Sequence, residues 1–193
     1  MQKTIINLSK AFAGESQARN RYDMYAKIAK KEGYEQISAI FTETAIQEQE
    51  HAKQFFRTIN QLREDNSLTD EIKIEADIPV VLKDTLENLK TAIQGEAEEH
   101  ESMYPEFARI AREEGLEEIA LKLEAIGKAE EHHKERYQKL LNELESQTIF
   151  KKDKEINWIC RKCGYAHTGN TPTETCPSCN HPTAYFQVQC ENY

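Results

Sequence analysis

Glu-x-x-His occurs twice in this chain, as Glu48/His51 and Glu130/His133. Residues three apart on a helix lie one turn apart on the same face, so each pair aims a carboxylate and an imidazole at one point. Each pair also interrupts an apolar stripe. One stripe runs Ile37, Phe41, Thr44, Glu48, His51, Phe55, Ile59, Leu62, and the other Ile119, Leu123, Ile126, Glu130, His133, Tyr137, Leu141, Leu144. Charge inside such a stripe is costly to bury without a partner. A pair of metal ions is the simplest partner that all four groups share.

Further acids lie on two other stripes. Glu15 follows Leu8 and Phe12 and precedes Tyr22, while Glu96 and Glu99 fall among Leu89, Ile93, Met103 and Phe107. A Glu from each of two helices, plus Glu-x-x-His from each of two others, is the donor set of di-iron carboxylate bundles. Imidazole favours iron over magnesium or calcium. Glu99 is a seventh donor beyond the six that such a site needs. One Glu-x-x-His alone would read as a solvated face; two copies, each centred in an apolar stripe, reverse that reading. Tyr22 and Tyr104 lie about two turns beyond Glu15 and Glu96. We read them as buried phenols that hydrogen-bond ligand carboxylates and fix their orientation. His100 and His132 fall about 100° off the ligand face and are expected to be exposed. Glu43, Glu50, Glu98, Glu101 and Glu131 read as ordinary surface charges.

The cysteines form a second constellation. Cys160-x-x-Cys163 and Cys176-x-x-Cys179 are two knuckles separated by a short loop, the spacing of a tetrahedral tetrathiolate site that suits either one iron or zinc. A segment of about 40 residues buries little core, so the metal supplies much of its folding energy. Cys190 lies outside both knuckles and reads as an ordinary thiol. Zinc would add nothing to a redox-active pair, whereas a one-electron iron would act as a wire to it.

The elements that position these residues are legible through an internal repeat. Ala26-Lys-Ile-Ala-Lys-Lys-Glu-Gly33 matches Ala108-Arg-Ile-Ala-Arg-Glu-Glu-Gly115 at an offset of 82 residues, which also maps Tyr22 onto Tyr104, Glu48 onto Glu130 and His51 onto His133. Gly33 and Gly115 read as helix C′ glycines. The repeat describes two helical hairpins, divided by a polar break from Asn66 to Pro79 that is long enough to cross a bundle. The expected fold is an all-α four-helix bundle with one long crossover, ferritin-like in topology, over residues 1–146. A linker at 147–154 and a small, β-rich, metal-bound domain at 155–193 follow. Gly14-Glu15 aligns with Gly95-Glu96 at an offset of 81, not 82, and Pro105 lies inside the third helix. A local bulge or kink is therefore expected between Glu96 and Pro105.

Composition sets the boundaries. With 193 residues, 38% hydrophobic and 31% charged, the chain suits one substantial core with a small appendage. No apolar run is long enough to span a bilayer, and Met1 to Lys10 lacks the features of a signal peptide. We expect a cytoplasmic protein. The net charge of −9 argues against nucleic-acid and anionic-membrane partners.

The motifs Gly14-Glu15, Glu48-x-x-His51, Gly95-Glu96-x-x-Glu99, Met103-Tyr104-Pro105, Glu130-x-x-His133, Cys160-x-x-Cys163-Gly164-Tyr165 and Cys176-Pro-x-Cys179 together resemble the rubrerythrin family over essentially the whole length. That resemblance implies a ferritin-like di-iron bundle followed by a rubredoxin-like domain. It implies two non-haem iron ions in the bundle and one iron on the four cysteines, with zinc as a substitute. It implies a peroxidase reducing hydrogen peroxide to water in oxidative-stress defence. An external electron donor, a rubredoxin or an NAD(P)H-dependent reductase, would feed the rubredoxin-like iron. Carried over by residue, Glu48 and Glu130 bridge the irons, and Glu15 and Glu96 are terminal ligands. His133 binds the iron that Glu96 binds, and Glu99 exchanges with His51 on the other iron when the site is reduced. Leu144 is eleven residues past His133, roughly 16 Å along a helix, so the cysteine domain starts far from its own di-iron site. We therefore expect a head-to-tail homodimer, with or without exchanged helices. The competing readings are a ferroxidase or iron-storage protein, which would not need the cysteine tail, and a peroxide sensor or zinc-bearing structural protein without turnover.

Overall fold

The structure is a computed structural model that describes residues 2–191. Helix α1 spans Gln2–Lys31 and α2 spans Glu35–Asp65; after the crossover, α3 runs Thr85–Glu98, a π-helical segment Glu99–Met103, α4 Tyr104–Glu113 and α5 Glu117–Glu145. The α3–π–α4 run acts as one long helix, so the bundle has four helical rods. None of the described helices is long and apolar enough to cross a membrane.

Both hairpin turns are built alike. Gly33 and Gly115 adopt φ of 85° and 78°, the left-handed region that only glycine enters without penalty. In each turn the following amide reaches back five residues: Tyr34 N–H to Ala29 O at 2.8 Å, and Leu116 N–H to Ala111 O at 2.8 Å. These are the paired bonds of a Schellman stop. The crossover ends at Asp84, whose carboxylate caps α3 by accepting from Glu87 N–H at 2.9 Å. It is pinned to the bundle by Tyr25, which donates to Val81 O at 2.8 Å.

The π segment lies where the repeat slips by one residue. Tyr104 N–H bonds to Glu99 O, five residues back. Pro105 has no N–H to continue the α ladder, and the widened turn absorbs the extra residue. Tyr104 thereby regains the position that Tyr22 holds in the first hairpin.

The core is split into two apolar bodies. One holds Ala18, Tyr22, Tyr25, Phe41, Leu89 and Tyr137; the other holds Leu8, Ala11, Phe55, Tyr104, Leu123 and Ile126. Glu15, Glu48, Glu96 and Glu130 come from positions between these bodies along their helices, so the acids are sealed from above and below.

After α5, three short antiparallel strands form a sheet in the order β2-β1-β3, with β1 Ile156–Cys160, β2 Ala166–Gly169 and β3 Phe186–Val188. Its small core is Trp158 and Phe186 with Cys160 and Cys176. The linker residue Phe150 stacks on Tyr34 with ring centroids 6.3 Å apart, and Ala184 of the sheet domain lies against Gly33 in the same α1–α2 turn.

Candidate metal centres

Six of the seven predicted donors converge into two groups. Glu15, Glu48, His51 and Glu130 form one, and Glu48, Glu96, Glu130 and His133 the other, each with ligand atoms within 4.8 Å of one another. Glu48 and Glu130 belong to both. Each group draws on three of the four rods, and the two imidazole rings face each other 6.1 Å apart. Glu99 stands outside both groups, with its Oε1 beside Gly14, where even a methyl group would come within 3.7 Å.

The donor atoms crowd together, and His51 Nδ1 lies 3.0 Å from both Glu48 Oε2 and Glu130 Oε1. Glu15, Glu96 and Glu130 are 0% exposed and Glu48 1%. Yet Glu15 Oε2, Glu48 Oε1, Glu96 Oε2, both Glu130 oxygens and His133 Nδ1 make no hydrogen bond. His133 Nδ1 lies 2.8 Å from Glu130 Oε2, 3.1 Å from Glu48 Oε1 and 3.4 Å from Glu96 Oε2. Such orphaned, close-set acceptors inside a protein are very costly unless a cation joins them. The residues therefore fit a pair of divalent ions, and carboxylate with imidazole is the chemistry that iron takes.

Without a cation the charges compensate by moving protons. Burial lifts the Glu15 carboxyl well above its ordinary range and brings Glu96 to about 8. Burial works on Glu48 too, but His133 and His51 overcome it and hold its carboxyl at about 2. Burial would depress both imidazoles; the surrounding carboxylates reverse this, raising His51 strongly and pushing His133 up to about 12. Burial first, then Glu15 and Glu96, raises the Glu99 carboxyl well above normal.

Tyr22 and Tyr104 act across the bundle. Tyr22 on α1 donates to Glu96 Oε1 on α3 at 2.5 Å, and Tyr104 on α4 donates to Glu15 Oε1 on α1. Each hairpin's phenol thus holds the other hairpin's carboxylate. Burial, then the adjacent acids, keeps both phenols well above their ordinary pKa, so they remain donors.

Sequence reasoning missed several supports. Gln47 Oε1 lies 3.0 Å from His133 Nε2, and Arg136 links Gln47, Thr44 and Glu43. Glu43, Glu50, Glu98, Glu101 and Glu131 are exposed as expected. Glu43 nonetheless anchors Arg136 at 2.9 Å. His132 is exposed, but the expectation for His100 is corrected. It is half-buried, with Nδ1 2.9 Å from Gly127 O, because the π segment rotates it toward α5. A uniform 100° step cannot foresee that rotation.

The four knuckle cysteines also converge. None is in a disulfide; Cys160 Sγ lies 3.7 Å from Cys179 Sγ and Cys163 Sγ 3.6 Å from Cys176 Sγ. Four sulfurs at about 2.3 Å from a central ion would be spaced about 3.8 Å apart in a tetrahedron, so the sulfurs fit one. Gly164 and Asn180 take left-handed φ of 77° and 59°, one after each knuckle, and their amides close matching turns onto Cys160 O and Cys176 O. The Tyr165 amide draws the Cys163 thiol down to about 6.

Fold and donors together define a class: a helical bundle enclosing two carboxylate–imidazole donor groups that share two glutamates, joined to a domain with a four-cysteine cluster. A family model for rubrerythrin matches residues 7–141, and one for the rubrerythrin rubredoxin-like domain matches residues 158–187. The chain belongs to the rubrerythrin family. It is 56% identical to a putative rubrerythrin of Methanocaldococcus jannaschii, with 100% of this chain and 96% of that one covered. It is 44% identical to a rubrerythrin of Nitratidesulfovibrio vulgaris over 96% of this chain and 94% of the relative. Among solved structures, partially reduced nigerythrin aligns with a TM-score of 0.63 at 31% identity, covering 96% of this chain and 86% of that one. A bacterioferritin of Desulfovibrio desulfuricans, described as having a diiron site, shares the bundle fold with a TM-score of 0.65 at 23% identity. Membership of this family and a rubredoxin-like domain imply redox electron transfer.

Proposed function

We propose that this protein is a peroxidase that reduces hydrogen peroxide to water, with electrons entering through the cysteine-bound iron. The supporting observation is the pairing of a two-ion site that shares Glu48 and Glu130 with a tetrathiolate site on the same chain. Storage or ferroxidase chemistry needs no electron input, so the cysteine site favours peroxide reduction. Two ferrous ions held by these carboxylates and imidazoles would supply the two electrons that peroxide reduction requires, with two protons completing two waters.

The protein's own groups set the conditions. Glu48 and Glu130, common to both donor groups, would hold both ions. Glu15 and Glu96 occupy opposite ends, each oriented by a tyrosine from the other hairpin. The apolar bodies on either side exclude bulk water. In the arrangement described here His51 faces Glu15, Glu48 and Glu130 while Glu99 stands aside. With an ion bound, His51 would hold it in this arrangement, and Glu99 would take His51's place in the oxidised state. The linker into the cysteine domain stacks Phe150 on Tyr34, and Glu48 is 14 residues further along, roughly 20 Å of helix. Electrons therefore pass more readily from the cysteine site of a partner subunit, in a head-to-tail homodimer.

The test is anaerobic reduction of the iron-loaded protein followed by stoichiometric hydrogen peroxide, watched in the visible. The reduced protein should regain the colour of a ferric tetrathiolate much faster with peroxide than with oxygen. Equal or slower recovery with peroxide would overturn the assignment. A colourless, zinc-filled cysteine site in the native protein would favour a sensor or structural role.

A further inference from the structure

We infer that Gln47, clamped by Arg136, is the positioning residue that makes His133 the fixed imidazole of the pair and leaves His51 free to move. This rests on the reading that Glu48, Glu96, Glu130 and His133 hold a metal ion. The amide of Gln47 has only one sensible orientation. Its Oε1 faces two donors, His133 Nε2 at 3.0 Å and Arg136 Nη2 at 3.5 Å, while its Nε2 faces the Glu43 carboxylate at 3.5 Å. Flipping the amide would set N–H against N–H at the guanidinium and oxygen against oxygen at Glu43. Arg136 is itself held, at 2.6 Å from Thr44 Oγ1 and 2.9 Å from Glu43 Oε1.

An acceptor at His133 Nε2 dictates what the other nitrogen does. Nε2 must carry a proton to meet Gln47 Oε1, so in the metal-bound ring Nδ1 presents its lone pair to the carboxylates. Among the described residues, no side chain holds His51 Nε2 in this way. The repeat places Ala129 where Gln47 stands, since each immediately precedes the Glu of its Glu-x-x-His motif. A methyl side chain accepts no hydrogen bond. The side chain of His51 is accordingly 15% exposed against 2% for His133. The two halves of the duplicated bundle thus differ at the position that, in the first half, tethers the far nitrogen of the opposite imidazole.

The experiment is a competition titration of the metal-free full chain with Co(II), whose nitrogen- and oxygen-bound bands are separable from the intense bands of the cysteine site. Wild type should bind two equivalents in the bundle. Gln47→Leu should weaken one of them by about 10- to 100-fold and leave the cysteine equivalent unchanged. Gln47→Glu restores an acceptor to Nε2–H and should bind within a few-fold of wild type, or more tightly. If wild type fails to take two equivalents in the bundle, the underlying two-metal reading falls. If wild type takes two and Gln47→Leu binds both unchanged, or Gln47→Glu is as weak as Gln47→Leu, Gln47 does not position His133.

Discussion

Glu15 and Glu96 each take one hydrogen bond from a tyrosine of the opposite hairpin and leave the other oxygen turned to the centre. The phenol selects which oxygen is free. Tyr22→Phe should therefore loosen Glu96, and Tyr104→Phe should loosen Glu15. Each should lower Co(II) or Fe(II) affinity about 10- to 100-fold at its own end of the site, measured by the same competition titration. Equal loss at both ends from either variant would mean that the phenols act through general packing. That each phenol bonds a ligand carboxylate was anticipated from two tyrosines on ligand stripes, because a buried hydroxyl must find a partner; which acid each one serves was not. Gln47 was not anticipated. A glutamine beside a ligand carries no periodic signal, and its partner Arg136 is remote in sequence.

At the scale of elements, the π segment is the feature on which register depends. It lies between Glu96, which matches Glu15 at one offset, and Tyr104, which matches Tyr22 at an offset one residue longer. Deleting the exposed Ser102 should restore a plain α ladder with Tyr104 seven residues after Glu96, the spacing of Tyr22 after Glu15, and so leave Tyr104 in register while removing the widened turn that holds Glu99 and His100. The expected result is that the Tyr104–Glu15 bond and metal binding at the Glu15 end persist, while the His100–Gly127 bond is lost at a stability cost of about 1 kcal/mol, read from denaturant unfolding. Loss of metal affinity at the Glu15 end would show that the widened turn itself, and not only the register it preserves, aligns the site. The slip was visible in the repeat, and Pro105 marked its edge. The bond that His100 makes to Gly127 was not visible, because it follows from the rotation that the bulge imposes.

For the whole molecule, the sealed acids make stability depend on pH when metal is removed. The raised Glu96, at about 8, contributes stability that is present below its unfolded pKa near 4.5 and lost as pH rises through 8. His133, raised to about 12, acts in the same direction, its contribution waning from about pH 6.5 upward. Glu48, held at about 2, opposes them only in acid. The metal-free protein should therefore melt lower at pH 9 than at pH 5.5, by roughly 5 °C or more, and bound Fe(II) should flatten that slope. A metal-free Tm that rises between these pH values would contradict the charge arrangement. A second expectation concerns the proposed dimer. Mixing Cys176→Ser chains with Glu130→Gln chains, each inactive alone, should recover about a quarter of wild-type turnover if electrons cross between subunits, since half the dimers are mixed and each has one working pair. No recovery in a verified mixed dimer would confine transfer to one chain.

The sequence by itself determined the four rods, their glycine stops, the ligand stripes and the two cysteine knuckles. Each of these is local or periodic: three-residue spacing puts Glu and His on one face, a left-handed turn demands glycine, and two Cys-x-x-Cys motifs imply a tetrathiolate. The family resemblance named Glu48 and Glu130 as the shared carboxylates, but only the tertiary structure decided which phenol serves which acid and where Glu99 rests. It also decided that one imidazole is tethered and the other is not. Those distinctions arise between helices, where distances of 2.5 to 3.5 Å are set by packing, which no spacing along a single chain encodes.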